Sequence, residues 1–404
     1  MDAIEKLLEW ATSRGVVLDG IGPKPLPGRG IGIVATRELK PGEAILTVPT
    51  ARLRSLGSTP KPIVKALRGG ATVHAILAAA LCLEADPDFD VWRAVLPSRR
   101  DVEASMPICW PADLQALLPP GAATMLEKQQ AKFDKDWTLV SAAFPNRGGG
   151  GGDDDDGDGD DSGDDDAADA SGGSLTRGDF LYAWNLVNSR TFYHTTPLTE
   201  KRLPADDHMV LQPVADLFNH DPHGSCTVSY DEAGFTISTA RAHQPGDELS
   251  IRYGAHSNDF LLVEYGFALP GDANPWDETA LDAYVCPLFT PPQRRTLEDA
   301  GFWAGYALGA ETACYRTQTA LRLLCVTPGQ WRAVLRGVRD EDVDAPAVDR
   351  QLLRVLRVYE KDIRRKLSEL ERSTAGTEDA RAVLRARWIQ IKELVVAAIA
   401  RIHD

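Results

Sequence analysis

The spacing of apolar positions changes several times along this chain, and each change predicts a different element. Ile31 to Pro49, "IGIVATRELKPGEAILTVP", sets short apolar runs on either side of a polar segment punctuated by Pro41-Gly42. That pattern predicts two short strands joined by a turn. From about Pro62 to Phe144 apolar residues recur at three- and four-residue steps in "VHAILAAALCLEA", "WPADLQALL" and "AATMLEKQQAKFDKDW", which predicts helices. "TRGDFLYAWNLVNSR", Thr176 to Arg190, has the same helical pattern. Between Val210 and Tyr265 the chain returns to short strands and turns, in "CTVSYD", "GFTISTA" and "DELSIRYG". After about Pro291 the pattern is helical to the end. Leu352, Leu356, Tyr359, Ile363, Leu367 and Leu370 form one stripe, and Leu384, Trp388, Ile391, Val395 and Ile402 another. The expected class is α+β: a β-rich core of short sheets carrying a helical insertion, then an all-helical domain. The boundaries expected are residues 1–290 for the first domain, with its helical insertion at about 60–145, and 291–404 for the second.

Composition alters this picture at one place. The formal net charge of -15 comes largely from eleven Asp between Gly148 and Gly173, and taking those charges away leaves -4. The acidic stretch, about 147–174, cannot bury apolar area to offset its ordering entropy, so a flexible insertion is expected. It lacks the glycine, apolar position and closing Glu of a calcium loop. The remaining body is near neutral and no basic stripe stands out, which argues against nucleic acid as a direct partner. The six cysteines are scattered without a CxxC pair, as in a reducing compartment. "MDAIEKLLEWATSRG" has neither signal-peptide nor transit character, and no apolar run is long enough for a membrane span, so cytoplasm or nucleus is expected.

Two stretches hold the candidate chemistry. "VADLFNHDPHGSCTV" clusters Asp216, His220, Asp221, His223 and Cys226. Pro222 and Gly224 break any helical face through them, and the second Cys pair of a structural zinc site is missing. No metal is therefore expected; Asp216 and His220 read as buried hydrogen-bonding residues, with Asp221 and His223 in an exposed loop. Downstream, "GDELSIRYGAHSNDFLLVEYGF" places Tyr253 after a strand and Tyr265 twelve residues later, each followed by Gly.

With "GRGIGIVATRELKPGEAILTVP", "WRAVLPSRRDVEASMPICWPADLQALL", "NSRTF", "PVADLFNHD", "DELSIRYG" and "SNDFLLVEYGF" in this order, the chain resembles the SET-domain methyltransferases. It is most similar to the subgroup of the Rubisco large-subunit methyltransferase and its actin-histidine-methylating relatives. The likeness covers nearly everything but the acidic insertion. The Cys-rich zinc segments of histone-directed subgroups are missing.

The resemblance implies S-adenosylmethionine as cofactor, bound by Arg29, Gly30, Gly32, Arg190, Asn219, His220 and Tyr253. Glycines at 30 and 32 would let backbone approach a ligand. Arg190 would hold the cofactor's carboxylate and Asn219 its amino group, with His220 under the adenine. Tyr253 and Tyr265 would be the catalytic pair, and Phe192, Asp216, Tyr265 and Phe267 would line the substrate channel. The transfer is an in-line displacement, which positioning accelerates. Phe192 stands where histidine-directed relatives carry an amide, so a protein-lysine N-methyltransferase is favoured. A protein-histidine methyltransferase and a catalytically silent SET scaffold remain as alternatives. The resemblance also implies a monomer whose C-terminal helices dock a non-histone or folded protein substrate.

Overall fold

The computed structural model describes residues 2–403 except 68, 85–86, 146–174, 196–199, 205–206, 232–233 and 272. The acidic insertion expected at 147–174 lies outside the described residues.

Two four-stranded sheets form the β-rich part. One orders the strands Val17–Leu18, Ala44–Pro49, Gly234–Thr239 and Cys226–Tyr230. The other orders Ile21–Leu26, Gly30–Ala35, Glu248–Ile251 and Asn219–His220. The two strands foreseen in residues 31–49 therefore exist but enter different sheets. Ile21–Leu26 was invisible to the apolar pattern because Pro23 and Pro25 interrupt it. Proline removes ladder donors, and this strand is accordingly an edge, paired on one side only to Gly30–Ala35. Two further pairs, Thr191–Tyr193 with Met209–Leu211 and Glu278–Ala280 with Ala307–Gly309, complete the β-structure among the described residues.

The predicted helices are present as Val73–Leu83, Ala112–Gln115, Pro120–Ala143 and Arg177–Arg190. Thr176 opens the last with a reciprocal capping box to Asp179. Helices dominate the C-terminal part, joined by turns and one short strand, Ala307–Gly309, and the long helices are Ala345–Arg372 and Glu378–His403. Leu352, Leu356, Tyr359, Ile363 and Leu370 of the first stripe and Leu384, Trp388, Ile391 and Val395 of the second are buried. They share a core with Leu281 and Val285, and with Trp110, Leu114 and Leu126 from the insertion. The connection between Glu278–Ala280 and its partner strand passes through residue 290, so residues on both sides of that position pack together.

A buried polar junction joins the C-terminal helix to the strand-rich part. Arg387 is fully buried; it donates from Nε to Asp259 at 2.7 Å, from Nη1 to Asp277 at 2.6 Å and from Nη2 to the Glu278 carbonyl at 2.9 Å. Gln390 of the same helix accepts from Asn258 at 3.0 Å. Removing one partner of such a pair leaves an uncompensated buried charge. Arg387→Met should therefore cost about 3–5 kcal/mol, read from chemical denaturation of the whole chain. A loss below about 1 kcal/mol would mean that the two aspartates find other partners.

Candidate active site

The central strand Glu248–Ile251 places most of the candidate residues. It pairs antiparallel to Gly30–Ala35, with Glu248 opposite Val34, and parallel to Asn219–His220, with Ser250 opposite Asn219 and Ile251 opposite His220. Arg29, Gly30, Gly32, Asn219 and His220 thus meet beside Tyr253, two residues past the strand end.

On this side the contacts are polar. Arg29 donates from Nη1 to Glu248 Oε2 at 2.9 Å and from Nη2 to the His220 carbonyl at 3.0 Å. Asn219 Nδ2 donates to the other oxygen, Glu248 Oε1, at 3.0 Å. Gly30 lies in the left-handed region at φ 66°, and a Cβ there would meet nothing within 4 Å. A Cβ on Gly32 would collide with Leu26 Cδ1 and fall 2.8 Å from Asn219 Nδ2. Gly30 is thus an open turn, whereas the space beside Gly32 is filled by the Asn219 amide and Leu26. Glycine is favoured at Gly30 by the left-handed backbone, and at Gly32 a larger residue would make Leu26 and Asn219 shift.

His220 is 4% exposed and accepts the Tyr253 backbone N–H on Nδ1 at 3.1 Å. Burial lowers its pKa to about 4 against the pull of Asp221; nearby His256 and Arg29 lower it further. Three of the five residues first read as possible metal ligands have other uses. His220 is occupied as above, Asp216 pairs with Arg190, and Asp221 Oδ1 accepts the turn amides of His223 and Gly224.

The other side is a cleft of about 810 Å³, its open mouth included. Phe192, Phe218, Phe235, Tyr253 and Tyr265 give it aromatic walls, and Arg190 and Asp216 lie at its polar end. The Tyr253 hydroxyl donates to the Phe218 carbonyl at 2.8 Å, and the Tyr253 and Tyr265 rings are 5.0 Å apart. Burial raises both phenols, Tyr265 to about 12, so both stay protonated at neutral pH. Phe192 meets Phe235 edge-on at 5.0 Å. Phe267 is absent from the cleft wall and instead backs Tyr265 and His220, at ring separations of 6.3 and 6.1 Å.

Arg190 ends its helix and donates from Nη1 to the Asp216 carbonyl at 2.8 Å, with Asp216 Oδ2 at 3.5 Å. Its buried Nε has no partner among the described residues. The Asp216 side chain is wholly buried, and burial raises its pKa to about 6 although Arg190 and the Trp92 N–H, 3.1 Å from Oδ2, oppose the shift. Just upstream, buried Val214 sits at φ 71°. A β-branched residue there is strained, as often occurs where a site must be shaped.

Sequence reasoning missed Trp92, Phe218, Phe235 and Glu248. No spacing along the chain marks these four; strand register brings Glu248 to Asn219, and tertiary packing brings in Trp92 and the two phenylalanines.

The sequence profile of the SET domain matches residues 30–254, and that of the ribosomal lysine N-methyltransferase 2 C-terminal domain matches residues 277–400. Ribosomal lysine N-methyltransferase set11 of Schizosaccharomyces pombe is 31% identical over 157 residues, 39% of this chain and 39% of that protein. SET domain-containing protein 4 of Mus musculus is 25% identical over 82% of this chain and 75% of its own length. Ribosomal lysine N-methyltransferase 2 of Saccharomyces cerevisiae is 26% identical over 50% of this chain and 45% of its own. The chain therefore spans from about two-fifths to three-quarters of these relatives. Among solved structures, that of Rubisco LSMT bound to AdoMet aligns over 100% of this chain and 92% of its own, with a TM-score of 0.65 at 15% identity. The SET domain of LSMT bound to lysine and AdoHcy gives 0.64 at 14% identity. These structures show the shared fold.

Two buried histidines make stability depend on pH. Burial lowers His74 to about 3 and His220 to about 4, below the ordinary 6.5. Below pH 6.5 the unfolded chain takes up protons that the folded chain refuses, so stability is lost as pH falls toward 4, by about 1.4 kcal/mol per unit for each histidine. Buried Asp216, raised to about 6, contributes with the opposite sign over the same range, so the test is a difference: between pH 7 and 5 His220→Gln should lose less stability than the wild type, by one histidine's share. An unchanged slope would mean that folded His220 accepts the proton.

Proposed function

The chain belongs to the SET-domain family, and we propose that it is an S-adenosylmethionine-dependent protein-lysine N-methyltransferase. The observation that carries this reading is the aromatic cleft ending at Tyr253, one ring away from the polar nest of Gly30, Asn219 and His220.

The residues fit the cofactor. The orphaned buried Nε of Arg190 is a donor lacking an anion, the Gly30 turn is open, and Asn219 Oδ1 has no partner among the described residues. Arg190 would hold the cofactor's carboxylate, Asn219 its ammonium, and His220 the neighbourhood of the adenine. When bound, the cofactor supplies an electrophilic methyl group on a sulfonium.

The chain's own residues prepare the acceptor. Phe192, Phe218, Phe235 and Tyr265 strip water from a lysine's aliphatic stem, and ring faces attract its polar head. A lysine amine with an ordinary pKa near 10.4 must lose a proton to become a nucleophile, and desolvation in this cleft favours the neutral form. Because Tyr253 spends its O–H on the Phe218 carbonyl, its oxygen lone pairs remain to accept an amine N–H and hold the nitrogen in line. Its raised pKa makes it a positioner rather than a phenolate base. The Phe192–Phe235 wall offers no hydrogen bond to an imidazole, which supports lysine over histidine.

The target is a folded non-histone protein docked by the C-terminal helical part. Ribosomal proteins are the class to try first, because the matching C-terminal profile and two relatives bear that name. Purified protein incubated with tritiated S-adenosylmethionine and whole-cell extract, with and without ribosomes, should label a discrete band. Tyr253→Phe should weaken that band at least about 10-fold, as expected for loss of one aligned group. No band in any extract would sink the enzymatic reading, and equal labelling by the variant would remove Tyr253 from its role. Fragmentation mass spectrometry of the band should place the methyl on lysine; a methylated histidine would transfer the reading to the histidine-directed relatives.

A further inference from the structure

The polar nest contains one acid that no part of the cofactor reading uses. Glu248 directs one carboxylate oxygen at Arg29 Nη1 and the other at Asn219 Nδ2, 2.9 and 3.0 Å away. A carboxylate only accepts hydrogen bonds, so whichever way an amide might turn, the NH₂ end of Asn219 must face Glu248. The amide oxygen, Oδ1, is then forced to the opposite side, where it has no partner among the described residues.

We infer that Glu248 is a positioning residue that fixes the flip of the Asn219 amide, so that its oxygen is presented to the cofactor's ammonium. Without that constraint the two amide orientations differ little in shape, and one of them would aim an NH₂ donor at a cation. Glu248 therefore acts on recognition of the ammonium through Asn219, without touching the ligand.

Three further features hold the arrangement still. Arg29 clamps the far oxygen of Glu248 and, through Nη2, the His220 carbonyl, so the carboxylate cannot swing away from Asn219. The same two bonds occupy two of the guanidinium nitrogens of Arg29, which makes it part of this brace rather than a free hand for ligand. Gly32 gives the amide its seat: a Cβ there would lie 2.8 Å from Asn219 Nδ2 and 3.3 Å from Glu248 Oε1. Finally, strand register places Glu248 on the same strand as Ser250, the parallel partner of Asn219. Donor and acceptor are thus fixed to one rigid sheet.

This inference rests on the cofactor reading above, and the test separates the two. Two ligands are compared by calorimetry: S-adenosylhomocysteine, and the same thioether without its amino group, 4-(5′-adenosylthio)butanoate. Glu248→Gln, which lets the amide take either orientation, and Glu248→Ala, which removes the partner, should each weaken S-adenosylhomocysteine by about 10-fold or more. Both should leave the desamino compound within about 2-fold, because that ligand never uses Asn219 Oδ1. In an Asn219→Ala background, Glu248→Gln should cause no further loss for either ligand. Equal weakening of both ligands would reduce Glu248 to a general support of the sheet and overturn the inference, as would wild-type affinity for S-adenosylhomocysteine in both variants. Failure of the wild-type protein to bind either ligand would overturn the cofactor reading itself, and this inference with it.

Discussion

Four residues, Glu248–Ile251, hold the candidate site together by pairing on both edges at once. One edge meets the strand that begins at Gly30, the other runs parallel to Asn219–His220. A parallel pair cannot be closed by a tight turn. Here the connection is made by the hairpin of Cys226–Tyr230 and Gly234–Thr239, which belongs to the other sheet. The two sheets are therefore not independent. A one-residue slip at Glu248–Ile251 would turn Glu248 away from Asn219 and Tyr253 away from His220, because side chains alternate faces along a strand. The apolar residues Leu249 and Ile251, both buried, oppose such a slip.

What this scaffold delivers is an aromatic cleft with a costly polar end. Taking Arg190 and Asp216 out of water is unfavourable, and their 3.5 Å contact is too long to offset that alone. Trp92, from the helical insertion, donates to Asp216, and the backbone carbonyl of Asp216 accepts from Arg190. The strained φ of Val214 adds to the cost of shaping this turn. Residues unsatisfied and strained in this way are expected where a ligand completes the site, and the partnerless Nε of Arg190 is the clearest instance. The insertion is consequently more than a decoration on the core, since its tryptophan props the acid beside the arginine.

Local periodicity made the helices and most strands legible in the sequence, and ordered motifs brought Arg190, Asn219, His220, Tyr253 and Tyr265 to notice. Sheet assignment was not legible. Nothing in "IGIVATRELKPGEAILTVP" says that its two strands separate into different sheets, because pairing partners lie about two hundred residues downstream. The proline-bearing strand Ile21–Leu26 was hidden for the opposite reason, its local signal being that of a loop. Within the site, the motifs did not reveal that Leu26 and Asn219 lie beside Gly32 or that Arg29 pairs with Glu248. Phe267, expected on the channel wall, lies one layer behind it. Each of these depends on which side chain occupies a given few ångströms, and spacing along a chain does not contain that.

The C-terminal helices bear on the same cleft through a short element that could not stand by itself. Tyr265 ends a helix of eight residues, Asn258–Tyr265, well below the length at which a helix is stable in water. Its start is fixed by Asp259 and Asn258, bonded to Arg387 and Gln390 of the last helix. Near its end, Glu264 accepts from Gln129 of the insertion at 3.0 Å and from Asn188 at 2.8 Å. Asn188 lies two residues before Arg190 on one helix. The ring that walls the cleft is thus placed jointly by the insertion, the helix carrying Arg190 and the C-terminal helix. The attachment of the last helix to Asn258–Tyr265 ties its placement to that of the cleft wall.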